Sequence, residues 1–341
     1  MTGLRFALVG CGAIAESFYL PVLSSQRSIC SELYLVDTDA ERLGATADRF
    51  SATGTAPRLD AVLDRIDAAV VATPHSSHFP LARALIGAGK HVYCEKPLTA
   101  SPAEAEELVR AADAAKVVLT TNNWRRSEPA FQRIAEIFRR QELGRLTAAT
   151  WAEGVKFNWP TKSGFYFTQQ GEDGLPPPGV LLDIGSHVVD LLCWWQGGGE
   201  PEVLECRTDS LGGPEARARL VLGFGGARAQ IDLSYYQRMT NSYLLRFERG
   251  TVAGISNEGY RFQLSPDGAP PRTVDIRSGR AGGRAIAERM LSNFVAAANG
   301  ASRPLFDGRD VVPSIRAIAQ AYRAAKPFDA PWLPRWTHET A

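Results

Sequence analysis

The chain has 341 residues, enough for two domains, with 45% hydrophobic and 22% charged residues, proportions that suit ordinary globular cores. Lys and Arg total 38 against 37 Asp and Glu, a net charge of +1 that leaves no electrostatic footprint for nucleic acid or an anionic membrane. No window approaches the run of about 20 apolar residues that a membrane span needs, the opening apolar run Phe6 to Val9 is too short for an export signal, and five scattered cysteines without a C-x-x-C pair fit a cytoplasmic protein with reduced thiols.

In chain order, Phe6 to Val9, Leu33 to Val36, Ala68 to Ala72, Val92 to Cys94 and Val117 to Thr121 read as short apolar strands. Residues 38–50, 77–88 and 101–115 read as helices between them, so the first part predicts a doubly wound parallel sheet covered on both faces. Pro21 is expected to kink or end the first helix early, and Ser101-Pro102-Ala103-Glu104 reads as a helix start with Ser at the N-cap. Beyond Asn122 the rhythm changes. A helix is expected near 129–141, then strand runs at 146–151, 203–208, 216–223, 227–235, 243–249 and 251–256, broken by Gly-rich turns, and a last helix at 311–324. That spacing predicts a large, mostly antiparallel open sheet in an α+β second domain, with the boundary at 1–122 and 123–341.

Gly10-Cys11-Gly12-Ala13-Ile14-Ala15 follows the first strand and opens the first helix. This G-x-G-x-x-A pattern is a dinucleotide fingerprint: the first Gly makes a tight turn, the second lets the backbone approach a pyrophosphate, and the small last residue lets helix and strand pack closely. Gly10, Gly12, Ala13 and Ile14 are therefore candidate cofactor residues, with helix-start amides facing the phosphates. Asp37 ends the next strand, where an acid binds ribose hydroxyls. Asp37 and Asp39 would repel a 2′-phosphate and favour NAD, while Arg42 one turn on leaves NADP open.

Asp183 and His187 stand at i and i+4 on a predicted helix start, so they share a face. A carboxylate beside an imidazole raises its basicity and orients it, which suits a general base; the alternative is a helix-capping Asp and a satisfied buried His. Lys96, after a strand end, is placed to stabilise a developing alkoxide; the alternative is a surface lysine. His75 and His78 lack a third ligand, so no metal is expected.

Four segments carry a family resemblance: Val71-Ala72-Thr73-Pro74-His75-Ser76-Ser77-His78, Ala88-Gly89-Lys90-His91-Val92-Tyr93-Cys94-Glu95-Lys96-Pro97, Trp124-Arg125-Arg126-Ser127-Glu128-Pro129 and Gly179-Val180-Leu181-Leu182-Asp183-Ile184-Gly185-Ser186-His187. In this order they resemble the glucose–fructose oxidoreductase / inositol dehydrogenase (Gfo/Idh/MocA) family over nearly the whole chain. His75 departs from the family's usual Asn, and Pro178 from a frequent Gly. The resemblance implies a Rossmann domain, with Thr73, His78, Glu95 and Lys96 beside NAD or NADP. It implies Lys96, Asp183 and His187 as the catalytic set, and a Lys96-Pro97 bond in the cis form. It also implies hydride transfer between nicotinamide and a secondary alcohol of a sugar, nucleotide-sugar or cyclitol, and a homodimer or homotetramer formed through the second sheet. Arg126 and Trp159 are substrate candidates beside Asp183 and His187. For Arg126 a salt bridge is the alternative, and for the aromatics around Trp159 a core or subunit contact. Other readings are a non-catalytic cofactor-binding sensor, a redox-assisted glycosidase, and an imine or pyrrole-ring reductase.

Overall fold

The computed structural model describes residues 3–157, 177–210, 213–277 and 282–329. The first 121 residues build a parallel sheet from β1 (Leu4–Val9), β2 (Cys30–Val36), β3 (Gly54–Ala56), β4 (Ala68–Val71), β5 (His91–Cys94) and β6 (Leu119–Thr121). Its order is β3-β2-β1-β4-β5-β6, with all neighbours parallel. Every strand residue of β4 is buried, as expected where helices cover both faces. The order reverses between β1 and β4, and the crevice beyond the carboxyl ends of those strands is where such sheets take ligands.

The helices of this half are α2 (Ala40–Phe50), α3 (His78–Gly87) and α4 (Pro102–Ala115). Before them, a π-helical turn at Ala15–Tyr19 runs into the short α1 (Leu20–Leu23), with Pro21 in its first turn. The helix nevertheless continues through Pro21 to Leu23; the missing Pro21 N–H fits the π-helical irregularity just before it, not an end at the proline. Ser101 stands at the N-cap of α4 as read, but its hydroxyl makes no cap bond.

The second sheet contains β7 (Leu146–Gly154), β8 (Glu202–Thr208), β9 (Arg217–Phe224), β10 (Ala227–Ser234), β11 (Ser242–Phe247), β12 (Gly250–Ile255), β13 (Arg261–Pro266), β14 (Arg272–Asp275) and β15 (Lys326–Pro327). Its order is β14-β13-β12-β11-β7-β10-β9-β8-β15. It is mostly antiparallel, with β10 parallel to β7 and β15 parallel to β8. One face packs on α5 (Pro129–Arg139), α6 (Val180–Trp195) and α8 (Val312–Ala324), sharing a core that includes Phe131, Trp151, Trp195 and Tyr243. Alternation explains the face: Ala229, Ile231 and Leu233 of β10 are buried while Arg228 is exposed.

Packing crosses the expected boundary at residue 122. α7 (Gly283–Ala298), absent from the sequence reading, returns to the first core. Its Phe294 meets Phe6 at 6.0 Å and Tyr93 at 5.6 Å between ring centroids. Ile286, Met290 and Phe294 recur every fourth residue, which was the available signal. Val311, Val312 and Ile315 likewise pack on the first half beside Leu119. All five cysteines are buried and none forms a disulfide. Among the described residues no helix is long and apolar enough to cross a membrane.

Arg126 joins the halves. It is 2% exposed and bonds Asp190 of α6 through Nε at 2.8 Å and Nη2 at 2.6 Å, with Nη2 also donating to the Asp310 carbonyl at 2.9 Å. Trp194 and Phe306 face its guanidinium. Removing one member strands a buried charge, so Asp190→Ala is expected to lower stability by about 3–5 kcal/mol in denaturant titration; a loss below about 1 kcal/mol would contradict the pairing.

Candidate active site

One cleft of about 1320 Å³ runs along the carboxyl ends of the parallel strands and on to the start of α6. Pockets for a single small ligand are usually about 300–1,000 Å³, so this one has room for a dinucleotide and a substrate together. It is lined by Gly10, Gly12, Ala13, Ile14, Asp37, Thr73, His78, Glu95 and Lys96, and also by Trp124, Asp183, His187 and Tyr235.

At the glycine loop Gly10 has φ 93°, and a Cβ there would meet the Ala72 carbonyl oxygen at 2.7 Å. Only glycine serves, for conformation and for space. A Cβ at Gly12 would meet nothing within 4 Å and would project into the open cleft, the room that a pyrophosphate needs. Asp37 stands beyond β2, its carboxylate accepting from the Cys11 amide at 2.8 Å and the Asp39 amide at 2.9 Å. Asp39 caps α2 by accepting from the Arg42 amide at 3.0 Å. The Arg42 guanidinium reaches both Asp37 oxygens at 3.3 Å and Asp39 at 2.9 Å. The acid and the base weighed separately in the sequence are thus one ion-paired unit. These residues fit a nicotinamide dinucleotide.

Glu95 and His78 line the cleft but have protein partners. Glu95 accepts from Tyr19 Oη at 2.5 Å, Asn122 Nδ2 at 2.8 Å and the Lys96 amide at 3.0 Å. His78 is 1% exposed, with its ring nitrogens 2.8 Å from the Pro97 carbonyl and 2.9 Å from the Thr73 carbonyl. It therefore ties the two turns that flank the cofactor cleft. The Lys96-Pro97 bond is cis. His75, pushed down to about 4 chiefly by burial, then by His78 and Lys96, stays uncharged at neutral pH. Among the described residues no group of three or more His, Cys, Asp or Glu is arranged to hold a metal ion.

Lys96 comes from the end of β5, and Asp183 from the first turn of α6. The lysine Nζ hydrogen-bonds the Asp183 side chain through Oδ1 and the Asp183 carbonyl at 3.0 Å. Tyr235, just past β10, donates to Asp183 Oδ2 at 2.7 Å. Burial pushes the Asp183 carboxyl upward, but Lys96 and the two hydrogen bonds outweigh it and hold the group below the usual carboxylate range. His187 lies one turn further along α6, its ring edge-on to Trp124 with centroids 5.8 Å apart. Burial first, then the Lys96 and Arg125 charges, push the imidazole well below its ordinary pKa, so it is neutral.

Two expectations are corrected here. Asp183 does not orient His187: its oxygens serve Lys96 and Tyr235, and His187 Nδ1 is buried without a hydrogen-bond partner. A shared helix face brings the two residues close, but the ammonium attracts the carboxylate more strongly than a neutral ring does. Arg126 does not anchor substrate, because its guanidinium is taken up by Asp190 outside the cleft. Its neighbour Arg125 pairs instead with Glu153, donating through Nη1 at 2.9 Å and Nη2 at 2.5 Å. Trp159, with Asn158, Thr161, Lys162 and the aromatics at 165–167, lies outside the described residues. Tyr235, Trp124 and Arg125 were not singled out from sequence. Fifty-two positions separate Tyr235 from Asp183, so no local spacing could reveal that contact.

Comparison with known proteins identifies the family. Residues 4–123 match the model of the oxidoreductase family with an NAD-binding Rossmann fold, and residues 131–253 match the GFO/IDH/MocA C-terminal domain. The chain belongs to the Gfo/Idh/MocA oxidoreductase family and is an NAD(P)-dependent oxidoreductase. It is 26% identical over 332 residues to a 1,5-anhydro-D-fructose reductase of Ensifer adhaerens, covering 94% of this chain and 96% of that one. It is 27% identical over 252 residues to a trans-1,2-dihydrobenzene-1,2-diol dehydrogenase of Mus musculus, covering 72% and 73%. The fold matches the crystal structure of aldose-aldose oxidoreductase from Caulobacter crescentus complexed with glycerol, with a TM-score of 0.78, 22% identity, and 94% and 97% coverage.

Asp37→Ala removes the carboxylate and releases Arg42 beside the expected ribose position. The expected outcome is a narrowed preference for NADH over NADPH in fluorescence binding titrations. An unchanged ratio would mean that Asp37 does not select the cofactor.

Proposed function

We propose that this protein transfers a hydride between nicotinamide and a secondary alcohol of a sugar, nucleotide-sugar or cyclitol. The observation that carries this reading is the meeting of Lys96 and Asp183 with a neutral His187 in the same cleft as the glycine loop. A bound nicotinamide supplies the hydride chemistry. The chain's own groups handle the proton and the oxygen. His187, uncharged and within the cleft, takes the hydroxyl proton in the oxidative direction. The Lys96 ammonium donates to the substrate oxygen and stabilises its growing negative charge. Asp183 holds Lys96 in place, and Tyr235 fixes Asp183 from the other side.

Trp124, Phe157 and Tyr235 line the substrate end, and aromatic faces suit the apolar faces of cyclic polyols. The relatives named above, which act by their names on an anhydro sugar and a cyclic diol, support the same class. The reading assigns the face of the second sheet turned away from α6 to a homodimer or homotetramer. A cytoplasmic location fits five buried cysteines outside any disulfide.

The test is a panel of aldoses, anhydro sugars, cyclitols and cyclic vicinal diols, followed by absorbance of the reduced nicotinamide. Lys96→Ala and His187→Ala are each expected to lower turnover by at least about 100-fold while NAD affinity is largely kept. Equal losses of affinity and turnover would contradict the assigned roles. No turnover on any polyol, with NADH still bound, would favour a sensor.

The depressed pKa of His187 also fixes a pH dependence. Its neutral, proton-accepting form is present at pH values well below the usual histidine range, so the acid limb of kcat/KM for oxidation is expected below the ordinary value of about 6.5. A limb at the ordinary value would show that His187 is solvated or is not the base.

A further inference from the structure

α6 carries both Asp183 and His187, yet it begins without a side-chain cap of its own, because Gly179 stands at the N-cap. The first amides of a helix have no intrahelical partner and must find one elsewhere. Here they find two residues far away in sequence. The Val180 amide donates to the Glu215 carbonyl at 2.9 Å, and the Leu181 amide to Glu215 Oε1 at 2.8 Å. The Gly179 and Leu182 amides donate to the Tyr322 hydroxyl at 3.3 and 3.1 Å. That hydroxyl in turn donates to Glu215 Oε1 at 2.8 Å, which uses its one donor and both acceptor positions.

Glu215 precedes β9 and Tyr322 lies in the last turn of α8, so three separate segments meet at this point. Glu215 is 1% exposed and its Oε2 is buried without a partner. The groups packed on it are the α6 amides, the Tyr322 hydroxyl and, from β8, the Cys206 thiol. Burial pushes the carboxyl up to about 7. Among the described residues no cation partners Glu215, and a buried acid so placed is costly; an apolar residue would serve better if packing were its only role. Gly179 fits the same device, since a Cβ there would meet the Glu215 carbonyl oxygen at 2.0 Å.

We propose that Glu215 and Tyr322 are positioning residues that hold the first turn of α6, so that the Asp183 carboxylate and carbonyl meet the Lys96 ammonium. The proposal rests on the reading of Lys96 and Asp183 as part of the reacting centre. The amide of Leu182, the residue before Asp183, is one of the anchored groups. Release of the turn therefore moves both oxygens that Lys96 bonds.

The experiment uses the full chain and three variants: Tyr322→Phe, Glu215→Leu and Glu215→Gln. Three quantities are read: amide hydrogen exchange at Val180, Leu181 and Leu182, NADH affinity by fluorescence, and kcat and KM on the best polyol of the panel. Loss of a helix cap amounts to roughly 5- to 10-fold in the local equilibrium. Tyr322→Phe and Glu215→Leu are expected to speed exchange at these amides and to lower kcat by about that factor or more, with NADH affinity held within about 2-fold. Glu215→Gln keeps an acceptor oxygen and is expected to preserve both exchange and kcat, a rescue that a general packing defect would not give. Unchanged exchange or unchanged kcat in both Tyr322→Phe and Glu215→Leu would overturn the proposal. Parallel loss of NADH affinity and kcat in all three variants would overturn it as well. The exchange measurement needs no substrate. Fast exchange in the variants with a wild type inactive on every polyol would therefore sink the functional reading while the anchor itself stands.

Discussion

The bond between the Lys96 ammonium and Asp183 is the contact on which the proposed active site depends. The lysine belongs to the turn after β5, the carboxylate to the first turn of α6, and 87 positions separate them. Neither residue does chemistry of this kind alone. An isolated lysine after a strand is a solvated cation, and an isolated aspartate in a first helical turn merely favours the dipole. Together they leave one ammonium directed into the cleft, with its charge balanced and its direction fixed. The second carboxylate oxygen is held by Tyr235, so the acid bridges both halves of the fold.

The surroundings keep these groups in useful protonation states. His187 is buried close to two cations and stays neutral, which fits it to accept a proton. Asp183 stays ionised despite burial, because Lys96 and Tyr235 outweigh the desolvation. Behind Lys96, Glu95 is tied by Tyr19 and Asn122 and bonds the lysine amide. His78 bridges the turn after β4 and the turn after Lys96. Second contacts of this sort turn a flexible side chain into one of defined position.

Much of the architecture was legible from local pattern. Period-two and helical runs gave the parallel sheet, its helices and most of the second sheet, because strand and helix faces impose their periodicity on sequence. The fingerprint was readable because the left-handed backbone and close approach at Gly10 admit almost no other residue, while Gly12 keeps the cleft open beside the loop. α7 was not read, and its return to the first core has a plain reason: packing is set by which apolar face finds a surface, not by order along the chain.

The sequence determined which residue types were available, namely an amine, a carboxylate, an imidazole and a glycine turn, since each announces its chemistry or its backbone freedom locally. The tertiary structure decided how they are paired. It gave Asp183 to Lys96 and Tyr235 instead of His187, placed Arg126 with Asp190 outside the cleft, and let Arg125, one residue earlier, take Glu153. It also recruited Glu215 and Tyr322 to a helix start far from either in sequence. The reason is physical. A charge or a hydrogen-bonding group selects its partner by distance and desolvation in three dimensions, and neither quantity is written in the spacing of residues along the chain.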